Sequence, residues 1–139
     1  MNYVMKYFTL RDFERSLTAS LLGIDNTVSR YEEMNIRRLV EEILDPAREK
    51  LGSQIIVTSG YRCRKLNDEI GFEFGASPIS LHKEGLAADI TAITPKANKK
   101  LHEILKTLPC SELIVHRYRS NPDIISSIHV AFEEGRGRE

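Results

Sequence analysis

The chain has 139 residues, with 20 basic and 20 acidic side chains and therefore a formal net charge of zero. That balance gives no electrostatic footprint for nucleic acid or for an anionic membrane, and no apolar run approaches the roughly 18–20 residues needed to span a bilayer. Hydrophobic residues at 41% and charged residues at 29% are ordinary for a soluble globular protein. The length suits a single domain over 1–139, large enough to bury one core without metal or disulfide staples. The late arginines Arg117, Arg119, Arg136 and Arg138 are candidates for a local basic patch, but acidic residues lie close to them.

The N-terminus from Met1 to Arg11 is polar and aromatic and lacks the apolar core of a signal peptide. The expectation is a protein that starts in the cytoplasm as a monomer, without membrane insertion. If it acts outside, another route must release it. Cys63 and Cys110 then read as free thiols, and with no CxxC partner neither marks a structural zinc.

In chain order, Thr9-Leu10-Arg11-Asp12 is a helix start, a hydroxyl cap with an acid three residues on. Phe8 and Phe13 are placed to pack around it. A short helix over 10–15 and a further turn to Leu22 end at Gly23, and Asp25-Asn26 signals a loop. Ser29-Arg30-Tyr31-Glu32 is a second capping box and opens the longest helix. Ile36, Leu39, Val40, Ile43, Leu44, Ala47 and Leu51 share one face of it. Pro46 predicts a kink near Leu44–Asp45, and Gly52 closes the helix.

Gln54 to Ser59 reads as a strand, 64–70 as a short helix, Phe72 to Ser77 as a loop and Leu86–Thr91 as a strand. Thr94-Pro95 caps a helix that buries Ala97, Leu101, Ile104, Leu105 and Leu108 and stops at Pro109. Strands at Glu112–Tyr118 and Ser127–Phe132 flank a turn at Asn121-Pro122-Asp123, and a charged tail begins at Glu133. Helices followed by strands interrupted by helices predict an α+β fold, a small and mainly antiparallel sheet against two main helices. His102, Glu41-Glu42 and Lys99-Lys100 read as solvated helix positions.

The chemistry is concentrated in Ser80–Ile90, where His82 precedes Gly85 and a small, apolar strand runs into Asp89. A carboxylate ending a buried run is costly unless it is paired or bound to a metal. Ile128-His129-Val130 puts a second imidazole in another apolar run. Two imidazoles and one carboxylate form the ligand set of a catalytic zinc with an open position. Spacing alone leaves a second reading open, in which these are satisfied or surface histidines.

Ser59-Gly60-Tyr61-Arg62, then Ser80-x-His82-x-x-Gly85-x-Ala87-x-Asp89-Ile90, then Ile128-His129-Val130 resembles the zinc D-alanyl-D-alanine peptidase family. The closer likeness is to its short single-domain members, D-alanyl-D-alanine carboxypeptidases and phage endolysins that cut peptidoglycan peptides. It extends over nearly the whole chain, including Lys6-Tyr7-Phe8-Thr9 and Gly23-Ile24-Asp25-Asn26. The resemblance implies a hedgehog/D-Ala-D-Ala-peptidase-like fold. It also implies Zn2+ held by His82, Asp89 and His129, a peptidoglycan peptide as substrate, and Arg62 in the pocket near the substrate carboxylate or scissile carbonyl. Tyr61 and Ser80 are further candidates for lining that pocket, although Tyr61 after a strand is as readily a packing residue.

The sequence departs from this pattern at the base. A metallopeptidase needs a group that takes a proton from the attacking water and passes it to the leaving amine. Many members carry an acid three residues before the second histidine, where this chain has Ser126. The short relatives carry a glutamate ending a Gln-Leu-Ile-x-Glu run, and the matching run here is Glu112-Leu113-Ile114-Val115-His116. Alternation puts Glu112, Ile114 and His116 on one face of that strand. His116 is the expected base, with a fourth metal ligand as its other role and Asp123 as the next candidate. Three functions follow: a zinc peptidase cutting peptidoglycan peptides as a carboxypeptidase or endopeptidase; a weak or inactive relative that binds cell-wall peptide or a protein partner; and a peptidase for another small peptide.

Overall fold

A computed structural model describes residues 3–71 and 80–134. The expected loop at 72–77 and the end of the charged tail fall outside them. Four strands, β1 (Ile55–Ser59), β2 (Ala87–Ala92), β3 (Glu112–Arg117) and β4 (Ile125–Ala131), form one antiparallel sheet in the order β1-β2-β4-β3. The helices are α1 (Leu10–Glu14), α2 (Leu17–Leu22), α3 (Arg30–Leu39), α4 (Asp45–Leu51), α5 (Arg64–Ile70) and α6 (Pro95–Leu105). The architecture is α+β, as the pattern of elements predicts.

Both capping boxes form. Asp12 accepts the Thr9 backbone N–H at 2.9 Å, and Phe8 packs on Phe13 with ring centroids 6.3 Å apart, a hydrophobic staple around the entry to α1. Glu32 accepts from the Ser29 backbone and hydroxyl at 3.3 and 2.6 Å and opens α3. The predicted disturbance at Pro46 takes the form of a π-helical segment, Val40–Leu44, joining α3 to α4. Proline lacks an N–H, and widening the preceding turn lets the Asp45 N–H reach the Val40 carbonyl so that the helix continues. Asp45, buried at that junction, accepts hydrogen bonds from the Tyr3 hydroxyl at 2.5 Å and the Lys6 and Tyr7 backbone N–H groups at 2.8 and 3.2 Å, tying down the N-terminal segment.

One sheet face is apolar. Val57, Ala88, Ile90, Ile128 and Val130 are buried in the same core cluster as Ile36, Leu39, Val40, Ile43 and Leu44 of the long helix and Leu101 and Leu105 of α6. The strand period of two then sends Asp89, Ile114 and His129 to the opposite face. In cross-strand register, Ser59, Asp89, His129 and Ile114 form a single row over all four strands. The row depends on an irregularity in β1 between Val57 and Ser59, which brings Ser59 opposite Asp89. β4 begins at Ile125, two residues before the expected Ser127, because Arg117 pairs with Ile125 beyond a second irregularity.

Candidate metal centre

Asp89 on β2 and His129 on β4 are direct cross-strand neighbours. The third member, His82, comes from a single 3-10 turn, Leu81–Glu84, just before β2. Ser80 caps that turn, its Oγ accepting the His82 backbone N–H at 3.2 Å. Gly85 ends it at φ 72, and a Cβ there would lie 2.7 Å from the Glu32 carbonyl oxygen. Only glycine combines that left-handed backbone with so close an approach to α3.

The ligand-type atoms of His82, Asp89 and His129 all lie within 4.8 Å of one another. His82 Nε2 is 3.5 Å and His129 Nδ1 3.0 Å from Asp89 Oδ1, and the two rings are 5.3 Å apart between centroids. The outward nitrogens are both occupied. His82 Nδ1 is 2.7 Å from the Gly60 carbonyl oxygen, so it donates and leaves Nε2 to face the cluster. His129 Nε2 is 2.8 Å from Glu112 Oε1, so it donates in turn. Each imidazole therefore presents one nitrogen inward and has the other held by an oxygen acceptor, the arrangement typical of metal-binding histidines. The donor set, two imidazoles and a carboxylate, is that of a zinc site with an open position. The residues present fit a zinc ion held by His82 Nε2, the Asp89 carboxylate and His129 Nδ1.

Arg62 approaches the same carboxylate. Its side chain is buried, with a terminal nitrogen 3.7 Å from Asp89 Oδ2. Its Nε donates to Ser59 Oγ at 3.2 Å and its other terminal nitrogen to Asn67 Oδ1 at 3.3 Å. The loop beneath it is fixed from both sides. Arg62 N–H donates to the His82 carbonyl at 3.1 Å, while buried Asn26 donates to the Tyr61 carbonyl at 2.8 Å and accepts the Cys63 N–H at 2.8 Å.

Electrostatics follow from this packing. Burial works to raise the Asp89 pKa, but hydrogen bonds from His129 and His82 outweigh it and hold the carboxyl well below the usual carboxylate range. Burial works to lower the His129 pKa, and hydrogen bonds to Asp89 and Glu112 more than offset it, so the net shift is upward. Burial lowers the pKa of Arg62, with Asp89 opposing, and a guanidinium remains charged throughout.

The other predicted site residues lie as follows. Ser80 caps the His82 turn. Tyr61 is 8% exposed within the main core, where burial and Glu32 push its hydroxyl pKa up to about 12. His116 is exposed on β3, on the same face as Ile114 and opposite Ser127. It is two residues along β3 from Ile114, the partner of His129. Asp123 is exposed in the β3–β4 turn. The β3 side chain hydrogen-bonded to a candidate ligand is that of Glu112, for which the sequence offered only a place on the correct face. Ser59, Asn26 and Asn67 hold the Arg62 loop and side chain; the first two stood in stretches that carry the resemblance but were given no role, and Asn67 carried no signal.

These features define a small α+β domain with a His–Asp–His cluster and a buried arginine on the open face of an antiparallel sheet. The model of the peptidase M15 family matches residues 6–131, and the chain belongs to that family, in agreement with the resemblance carried by its motifs. Among solved structures, it is similar to the L-Ala D-Glu endopeptidase ChiX of Serratia marcescens at 15% identity and a TM-score of 0.41, over 76% of this chain and 89% of that one. No curated protein matches the chain significantly. Among the described residues, no helix is long and apolar enough to cross a membrane.

Proposed function

We propose that this chain is a zinc-dependent peptidase that hydrolyses amide bonds in peptidoglycan peptides. The observation that carries the reading is the convergence of His82, Asp89 and His129, with both outward imidazole nitrogens already engaged, in a chain that belongs to a peptidase family. Zinc at this position would acidify a water molecule and polarise the scissile carbonyl. The remaining work falls to the chain. Arg62 presents a planar donor fork beside Asp89, suited to a substrate carboxylate or to the carbonyl oxygen as negative charge develops on it. His116, on the open face of β3, is the imidazole assigned to take the proton of the attacking water and return it to the leaving nitrogen. Half-exposed Ile114 lies between Glu112 and His116, paired across the strands with His129, and adds apolar surface to that face of the sheet.

One observation favours a second reading. His116 is exposed and lies two residues along β3 from the partner of His129, which suits a domain that holds peptide at the metal without cutting it. Mass spectrometry of peptidoglycan digests separates the two. Zinc-loaded protein is expected to release peptide fragments, and chelator-treated protein is not. Intact peptides after incubation with fully loaded protein would establish binding without hydrolysis.

A further inference from the structure

Glu112 begins the edge strand β3, opposite Ala131, and reaches diagonally over the sheet face to His129. Its Oε1 is 2.8 Å from Nε2, the ring nitrogen that does not face Asp89. This places the carboxylate behind the imidazole, outside the group of side chains whose ligand atoms converge. It is therefore neither a fourth ligand in this arrangement nor a group facing the open side of the cluster.

We propose that Glu112 is the positioning residue of the centre, fixing which nitrogen of His129 is offered to the metal. The inference rests on the zinc reading above. Both ring nitrogens face carboxylates, Nδ1 towards Asp89 at 3.0 Å and Nε2 towards Glu112 at 2.8 Å; when Nδ1 gives its lone pair to a metal, the one remaining ring proton has to sit on Nε2, and Glu112, which can only accept, holds it there. Neutral imidazole has two tautomers, and without an acceptor at Nε2 nothing holds the proton on the outer nitrogen. An anionic acceptor also increases the basicity of the opposite nitrogen and locks the ring plane. His82 has the same kind of device in the Gly60 carbonyl, but that acceptor is backbone and cannot be removed by mutation. Glu112 is the side-chain counterpart, and its partial exposure makes it replaceable without opening a cavity.

The test uses the full chain as wild type, Glu112→Gln and Glu112→Ala. Zinc affinity is measured by chelator competition, and the His129 ring nitrogens of the zinc-loaded proteins are assigned by long-range proton–nitrogen NMR. Wild type should bind through Nδ1 with a protonated Nε2. Glu112→Gln keeps an oxygen acceptor and should keep Nδ1 ligation with affinity within a few-fold. Glu112→Ala should lose about 10–100-fold in affinity, with a mixed or switched ligating nitrogen. Melting of the metal-free proteins provides the control. A merely structural role would lower all three readouts together, and Gln would not rescue ligation. If Glu112→Ala binds zinc through Nδ1 as tightly as wild type, the proposal is wrong while the zinc reading stands. If wild type itself fails to bind zinc, both fall.

Discussion

The His82 imidazole reaches back to the carbonyl oxygen of Gly60 at 2.7 Å, joining the turn before β2 to the loop after β1. Gly60 is itself pressed against α1, and a Cβ there would lie 2.6 Å from the Phe13 Cα and 2.8 Å from its carbonyl oxygen. These are backbone atoms that cannot swing aside. Gly60→Ala should therefore cost about 1–3 kcal/mol of stability, as overpacking does. It should also weaken zinc binding by displacing the carbonyl that orients His82. Thermal melting with and without zinc checks both. A variant with wild-type melting and affinity would show that the loop relaxes freely.

Asp89 is the shared neighbour of His82, His129 and Arg62. Its removal takes away the only carboxylate of the candidate ligand set and leaves Arg62 buried beside two imidazoles. Asp89→Ala should come off purification without stoichiometric zinc by elemental analysis. Full zinc occupancy in Asp89→Ala would mean that the ligand set is different.

Local marks, a glycine after His82 and apolar strands around Asp89 and His129, singled out the three residues, but their spacing left open a reading as satisfied or surface histidines, and it was the motif resemblance that implied their convergence. The helix starts at Thr9 and Ser29 were legible from local marks alone. The π-helical turn before Pro46 was not. Apolar spacing over a single turn does not separate a wide helix from an ordinary one, so proline predicts a disturbance but not its form. Glu112 was hidden by a different limit. Alternation names the face on which Glu112, Ile114 and His116 lie, but contact with His129 depends on the register of β3 against β4, which pairs Ile114 with His129. Only then does it emerge that Glu112 makes the diagonal contact while His116 stands opposite Ser127.

Arg62 donates hydrogen bonds to Ser59 and Asn67 and lies 3.7 Å from an Asp89 carboxylate oxygen. Lysine keeps the charge but offers one ammonium in place of a fork. For the active enzyme, Arg62→Lys should lower kcat/KM about tenfold or more, about 1.4 kcal/mol of transition-state stabilisation. Unchanged kinetics would remove Arg62 from the reaction.

The metal-free protein should show a bounded pH signature. The Asp89 pKa is depressed in the folded state, so its contribution is present above the ordinary Asp range and is lost as pH falls through the folded value. The His129 pKa is raised, so its contribution is complete below the ordinary His value, about 6.5, and is lost as pH rises through the folded value. The stability advantage of wild type over Asp89→Asn should be greatest between about pH 4 and 6.5 and shrink on either side. Parallel melting curves for the two proteins from pH 3 to 9 would contradict this assignment of the ion pairs.

The most exposed prediction concerns His116. It occupies the position in the Glu112–His116 run where the resemblance implies a glutamate, on the same sheet face as the candidate ligand His129. Diagonal neighbours in an antiparallel pair are roughly 7–8 Å apart, within reach of a long side chain and a bridging water. An imidazole can accept a proton and return it near neutral pH, but from an exposed position on the edge strand it reaches the attacking water less directly than a side chain held at the cluster would. Turnover should therefore be slow but measurable. His116→Glu should raise the rate of peptide release. His116→Ala should abolish it while zinc stays bound, because His116 is not among the three converging ligands. If wild type and both variants are inert with zinc in place, the chain binds peptide without cutting it. If His116→Ala is as active as wild type, the proton acceptor lies elsewhere. Asp123, exposed in the turn between β3 and β4, is then the next residue to change.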